Sequence, residues 1–125
     1  MFSKILFPVN QSREAKQAIG VVAEMVQKYQ AQLFVMSAIQ SEAEQPDAEA
    51  LLAEMQEKLA NMGITAETKI SHGKPELAIC DTADELEVDL IIMGSQGMTL
   101  AQEHPDGSTS QKVINLSPCP VLVVP

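Results

Sequence analysis

Glycines and a serine in the second half of the chain carry its strongest chemical signal: Gly94, Gly97 and the pair Gly107-Ser108. They are spaced as Gly, two residues, Gly, nine residues, Gly-Ser. The first glycine follows the apolar run Leu90–Met93, which is typical of a buried strand, and Ser108 opens a helical pattern. Glycine lets the backbone approach a ligand closely, and a helix start offers unpaired N–H groups to an anion. The spacing therefore predicts a phosphate-binding loop between a strand and a helix.

The loop differs from the two phosphate-binding motifs that are easiest to recognise in a sequence. It contains no Gly-Lys-Ser/Thr, so it is not a Walker A motif, and Gly-x-Gly-x-x-Gly is absent as well. Taken alone, spaced glycines are equally consistent with turns and helix caps. Whether the glycines form a ligand site or only turns and helix caps must therefore be judged from the strands and helices around them.

Those elements alternate along the chain. Apolar or alternating runs predict five strands, at Ile5–Val9, Leu33–Ile39, Ile64–Ser71, Leu90–Met93 and Val121–Val124. The third run alternates apolar and polar residues and is predicted to lie at a sheet edge. Helical spacing of apolar residues covers Ala15–Tyr29, Leu51–Met62, Leu77–Leu86 and Ser108–Leu116. This order predicts an α/β fold with a parallel sheet and right-handed crossovers, in a single domain over residues 1–125.

Residues that commonly cap or terminate helices mark where the helices begin and end. Ser12 is placed to cap the first helix, Gly63 to end the second and Pro75 to begin the third. Ser108 and Gln111 have the spacing of a capping box. The acidic stretch Ser41–Asp47 is expected to be mobile.

In open parallel sheets, ligands bind beyond the carboxyl ends of the strands, where strand order reverses. If the chain starts in the middle of the sheet, winds one way and then returns, the first and fourth strands are neighbours. Pro8-Val9-Asn10 and Met93-Gly94-Ser95 would then lie side by side. The glycine loop is thus expected at a crevice between these two strands.

Charge and composition exclude several classes of partner. The net charge of −9 disfavours nucleic acids and anionic membranes, and no apolar run is long enough for a membrane span. Cys80 and Cys119 lack metal-ligand spacing and are interpreted as packed thiols. No secretory signal is visible, so the cytoplasm is the expected location.

Three stretches together resemble single-domain universal stress proteins over nearly the whole chain: Lys4–Asn10, Val88–Gly97 and Ser117–Val124. The spacing of Gly94, Gly97, Gly107 and Ser108 is similar to that of the family's ATP-binding branch. The resemblance implies an open five-stranded parallel sheet in the order 3-2-1-4-5 with helices on both faces. This is a Rossmann-like fold of the adenine nucleotide alpha hydrolase-like type. It also implies a homodimer paired through Val121–Val124.

The resemblance further implies ATP or another adenine nucleotide, ADP or AMP, in the crevice. Pro8, Val9 and Asn10 would line the nucleoside, and Ala38 would face the adenine. The residues that would wrap the phosphates and ribose are Gly94, Ser95, Gln96, Gly97, Met98, Thr99 and Leu100. Gly107 would open the last helix, where Ser108, Thr109 and Ser110 would donate to phosphate.

Two departures from the family pattern bear on affinity. Asn10 stands where the family commonly has Asp, which removes charge assistance to the ribose hydroxyls. Residues 98–106 include Glu103 and Asp106 but no Lys or Arg, whereas ATP-binding relatives often carry basic residues there. Phosphate binding would then depend on N–H groups and hydroxyls, unless Mg²⁺ intervenes. We therefore expect AMP or ADP to be tolerated better than ATP.

Three functions remain open at the level of the sequence. The leading hypothesis is a nucleotide-binding stress-response protein, a homodimeric sensor or signalling module with at most slow ATP hydrolysis and no catalytic residues. The alternative is a dimeric interaction protein of the same fold that binds no nucleotide. A phosphoryl- or nucleotidyl-transfer enzyme is disfavoured, because the sequence shows no general base, no P-loop lysine and no arginine directed at a γ-phosphate.

Overall fold

The computed structural model describes residues 1–95 and 109–125. In chain order its elements are β1 (Lys4–Pro8), α1 (Arg13–Gln17), α2 (Ile19–Tyr29), β2 (Gln32–Ile39), a 3₁₀ turn (Glu42–Glu44), α3 (Gln45–Asn61), β3 (Ala66–His72), α4 (Pro75–Leu86), β4 (Leu90–Gly94), α5 (Thr109–Leu116) and β5 (Val121–Val124). The predicted alternation of strands and helices is confirmed. Within these two ranges, no helix is long and apolar enough to cross a membrane.

The five strands form one parallel sheet in the order β3-β2-β1-β4-β5. Strand β1 is central, with Lys4 paired to Gln32 of β2 and Ile5 paired to Leu90 of β4. The order implied by the family resemblance is therefore confirmed. Strand β3 lies at one edge, as its alternating sequence predicts, and β5 lies at the other.

Each face of the sheet carries its own apolar core, because successive strand residues point to opposite faces. Ile5 and Phe7 pack on one face in a cluster that includes Met55 of α3. Leu6 packs on the other face in a cluster that includes Val113 of α5. Helices therefore cover both faces, as expected for a buried parallel sheet.

The predicted helix boundaries at Ser12, Gly63 and Pro75 are confirmed, whereas the predicted capping box of Ser108 and Gln111 lies partly outside the described residues. Ser12 Oγ accepts a hydrogen bond from the Ala15 N–H at 3.1 Å and caps α1. Gly63 follows α3 with a φ of +82°, and Pro75 begins α4. The single helix predicted up to Tyr29 instead divides at Ala18, whose side chain is fully buried.

The expectation of a mobile acidic segment at Ser41–Asp47 is corrected by the structure. Ser41 and Glu44 form a capping box, and Glu44 Oε2 accepts hydrogen bonds from the Gln40 N–H at 2.6 Å and the Ser41 N–H at 2.9 Å. These bonds lower the pKa of the Glu44 carboxyl because they favour its charged form, and the bond from Gln40 has the larger effect. Helix α3 then begins at Gln45, well before the apolar stripe that predicted it.

Candidate functional site

The central strands β1 and β4 separate towards their carboxyl ends. Their ladder ends at Leu6 and Ile91, whereas the ladder between β1 and β2 continues to Pro8 and Met36. Strand order reverses here. The chain passes from β1 through β2 to β3 on one side of β1, and then continues with β4 on the other side. The predicted pairing of the first and fourth strands is confirmed, and a crevice opens where parallel sheets bind ligands.

A cavity of about 150 Å³ occupies this crevice. It is bounded by the carboxyl ends of three strands, by α1 and by the first turns of α4 and α5. Its lining residues are Pro8, Val9, Asn10, Ser12, Ala15, Ala38, Pro75, Ile79, Met93, Gly94 and Thr109. The walls are mainly apolar, and their polar side chains come from Asn10, Ser12 and Thr109. Small-molecule sites commonly combine apolar surface with a few polar groups in this way.

The structure brings together six of the residues singled out in the sequence: Pro8, Val9, Asn10, Ala38, Gly94 and Thr109. Ser95 and Ser110 are buried and do not belong to the cavity lining. The N–H of Ser95 donates to the Val124 carbonyl at 2.8 Å, so that donor is used by the sheet. Gln96, Gly97, Met98, Thr99, Leu100, Gly107 and Ser108 lie outside the described residues.

Asn10 is held in position by the start of α1. Its Oδ1 accepts a hydrogen bond from the Ser12 N–H at 2.9 Å, and Ser12 Oγ in turn accepts from Ala15. The Asn10 side chain therefore lies in the crevice wall as part of the turn that begins the helix. The side-chain amide of Asn10 carries both a donor and an acceptor group.

Gly94 has a packing role that the sequence did not reveal. A Cβ at this position would lie 2.7 Å from the carbonyl carbon of Glu14 and 2.8 Å from the Ala15 nitrogen. These atoms belong to the backbone of α1, which cannot move aside as the end of a side chain can. Gly94 is thus required for α1 to close over the end of β4, whatever it contributes to a ligand.

The sequence did not identify four residues of the cavity wall, and it placed Met93 only at the strand end beside the crevice. The four are Ser12, Ala15, Pro75 and Ile79. Pro75 and Ile79 are one helical turn apart and share a face of α4, which their spacing could have suggested. The role of Ala15 depends on the close approach of α1 to β4, and no local sequence pattern encodes that contact.

The described part of the cavity wall contains no charged side chain and no histidine. His72 lies at the end of β3, where Nε2 is 3.5 Å from Oε1 of Glu42 on the protein surface. Among residues 1–95 and 109–125, no group of three or more potential metal ligands occurs. Within residues 1–95 and 109–125, the cavity wall therefore presents apolar surface and uncharged hydrogen-bonding groups.

Neither cysteine has the character of a nucleophile. Burial, followed by the nearby Asp81 carboxylate, raises the pKa of the Cys80 thiol. Burial also raises the pKa of the Cys119 thiol. A thiol with a raised pKa is mostly protonated at neutral pH, so the interpretation of both residues as packed thiols is supported.

Comparison with known proteins is consistent with this geometry. The model of the universal stress protein family matches residues 1–125. Universal stress protein Sll1654 of Synechocystis sp. is 41% identical over 136 residues, which cover 100% of this chain and 87% of that protein.

Solved structures share the fold. A universal stress protein in complex with cAMP superposes with a TM-score of 0.88 at 22% identity, covering 99% of this chain and 97% of its own. The protein MJ0577 superposes with a TM-score of 0.83 at 28% identity, covering 99% and 96%. Since the family model spans the full chain and a relative above 40% identity covers all of it, the chain belongs to the universal stress protein family.

Proposed function

We propose that this protein binds an adenine nucleotide in the crevice between the carboxyl ends of β1 and β4. The observation that carries the proposal is the cavity itself, which combines apolar walls with a positioned amide. Ala38, Ile79 and Met93 supply surfaces for a flat base, and Asn10 supplies hydrogen-bonding groups suited to ribose hydroxyls. The universal stress protein in complex with cAMP, which shares the fold, indicates that this architecture can accommodate an adenine nucleotide.

The phosphates would extend towards α5. Thr109 begins this helix and lines the cavity, so the first turn of α5 faces the crevice. Unpaired N–H groups at a helix start favour an anion. The glycine spacing around Gly97 and Gly107 adds backbone donors in the same stretch of the sequence.

Monophosphate or diphosphate nucleotides are the preferred ligands in this proposal. The described cavity wall has no lysine or arginine, and the sequence between Met98 and Asp106 adds two carboxylates. Each further phosphate charge would meet repulsion without a compensating cation. Mg²⁺ would reduce this penalty for ATP.

The biological role that follows is that of a homodimeric sensor or signalling module. In the described wall, no general base or cation is placed to promote phosphoryl transfer, so turnover is expected to be slow at most. Strand β5 lies at a sheet edge, and pairing through Val121–Val124 of a second copy would cover that edge.

Mass spectrometry of small molecules released on denaturation, combined with calorimetric titration, tests the proposal. We expect the purified protein to release an adenine nucleotide, or the ligand-free protein to bind AMP and ADP more tightly than metal-free ATP. Ala38→Leu narrows the cavity and should weaken AMP binding at least about tenfold, since a larger side chain would occupy part of the space of the base.

Ala50→Leu is the matched control, because Ala50 is exposed on α3 outside the cavity. It should leave AMP affinity unchanged. Failure of AMP, ADP and ATP to bind, with and without Mg²⁺, would overturn the proposal in favour of an interaction protein that uses no nucleotide. Tightest binding to metal-free ATP would overturn the preference for fewer phosphates.

A further inference from the structure

A second cavity, of about 200 Å³, adjoins the crevice on the side of α3. Asn10 and Ala38 line both cavities. Its other walls include Ser37, Ile39, Glu44, Asp47 and Leu51, and we refer to it as the side chamber. The nucleotide proposal makes no use of this space.

The inner wall of the side chamber is apolar. Ile39 is 2% exposed and Leu51 is 3% exposed, and Ala48 is buried as well. A wall of this kind favours contact with the methylene groups of a ligand. The chamber is therefore more than a pair of acids at the protein surface.

Ser37 places one polar group in this otherwise apolar inner wall. The residue is only 7% exposed, and within the described residues its hydroxyl forms no hydrogen bond. Its oxygen is not completely sealed from solvent, so the chamber gives access to it. A nearly buried hydroxyl without a protein partner is uncommon and indicates a place for a ligand's hydrogen-bonding group.

The rim of the side chamber carries two carboxylates. Glu44 is held by the N–H groups of Gln40 and Ser41, which keep it ionised. Asp47, in the first turn of α3, is exposed and forms no ion pair or hydrogen bond within the described part of the chain. His72 Nε2 lies 3.5 Å from Oε1 of Glu42. The described residues of the chamber lining include no lysine or arginine. The rim is thus negatively charged.

We propose that the side chamber binds a small aliphatic amino alcohol. The ammonium group lies at the rim beside Asp47 and Glu44, and the methylene chain lies on Ile39 and Leu51. The hydroxyl at the other end of the ligand bonds to Ser37. A divalent cation fits less well, because two carboxylates are too few ligands and no group of three metal-binding residues exists among the described ones.

The test is a titration of the nucleotide-free full chain with 5-amino-1-pentanol, followed by NMR chemical shifts. The comparator is 1,5-pentanediol, which has the same chain but no ammonium group. Saturable shifts at Ser37, Ile39 and Asp47 are expected for the amino alcohol, with binding at least about threefold weaker for the diol, as expected for loss of an exposed ion pair.

Two variants distinguish a direct contact between Asp47 and the ammonium group from the effect of the protein's overall negative charge. Asp47→Asn should weaken amino alcohol binding about threefold to fivefold, whereas Glu57→Gln should not change it. Glu57 is an exposed acid on the same helix, outside the chamber. Ser37→Ala should also weaken binding, with the thermal midpoint confirming that the variant folds.

Absence of saturable shifts, equal affinity for the diol, or an equal effect of Asp47→Asn and Glu57→Gln would each overturn the proposal. The result is independent of the nucleotide proposal, because no nucleotide is present in the titration. Retained nucleotide binding by Asp47→Asn would separate the two sites further.

Discussion

At the scale of single residues, Gly94 shows how one position can serve packing and a ligand at once. The sequence places it at the start of a phosphate-binding loop. In the fold, its missing side chain lets the backbone of Glu14 and Ala15 lie against the end of β4. Loss of a ligand after a substitution at Gly94 would therefore not demonstrate contact between this residue and phosphate.

We predict that Gly94→Ala destabilises the protein by about 2 kcal/mol or more, because the new Cβ would overlap a helix backbone that cannot shift without disturbing the core. Gly20→Ala is the control, since Gly20 lies in α2 and a Cβ added there would have no atom within 4 Å. That change should stabilise the protein by about 0.5–1 kcal/mol, through higher helix propensity. Urea denaturation measures both, and equal midpoints for the two variants would contradict the packing role.

The raised pKa values of Cys80 and Cys119 predict slow thiol chemistry. At pH 8 both should react with iodoacetamide more slowly than glutathione, because a smaller fraction is thiolate. Their rates should continue to rise above the pH at which the rate of a free thiol levels off. Mass spectrometry of the alkylated protein over a pH series measures this, and a rate above that of glutathione at either cysteine would refute it.

At the scale of elements, strands proved easier to predict than helix ends. Apolar runs such as Leu90–Met93 are visible in the sequence because a buried strand requires them along its whole length. The start of α3 was missed because its first turns are polar, and the Ser41–Glu44 capping box that orders them was not recognised. The division at Ala18 and the wall formed by Ala15 follow from tertiary contacts, which no local pattern contains.

The cap at Ser12 has a measurable contribution. Ser12→Ala removes the acceptor for the Ala15 N–H and should lower the free energy of unfolding by about 1 kcal/mol. Ser3→Ala is a suitable control, since that side chain is exposed and the Ser3 hydrogen bond to Asp89 uses the backbone N–H. An effect of equal size in the two variants, measured by chemical denaturation, would argue against the cap.

At the scale of the whole molecule, the two sheet edges differ. Strand β3 is long and carries charged residues such as Glu67 and Lys69, which discourage pairing with another chain. Strand β5 is short and apolar, and Leu122 is 37% exposed. The carbonyls of Pro120 and Val124 accept bonds from β4, so alternation directs the N–H groups of Val121 and Val123 away from the sheet. This edge is the one suited to a second copy.

The proposed dimer can be tested by removing one outward-facing donor. Val123→Pro deletes that N–H and should shift the protein from dimer to monomer in light scattering at micromolar concentration. Val123→Ala keeps the N–H and should weaken association less. Only monomer in the unmodified protein would reject the dimer, and unchanged dimer in Val123→Pro would reject pairing through this strand.

The bonds from Ser3 and Lys4 to Asp89 have a consequence for how the chain folds. They join residues 86 and 85 positions apart, beside the pairing of Ile5 with Leu90. A β1–β2–β3 half-sheet can form as the chain is synthesised, but β1 keeps an open edge until β4 emerges, and closing so long a segment is entropically slow. The crevice is therefore created only when β4 joins β1. A ligand that contacts both β1 and β4 would slow the separation of these two strands. The bound protein would therefore unfold more slowly than the free protein.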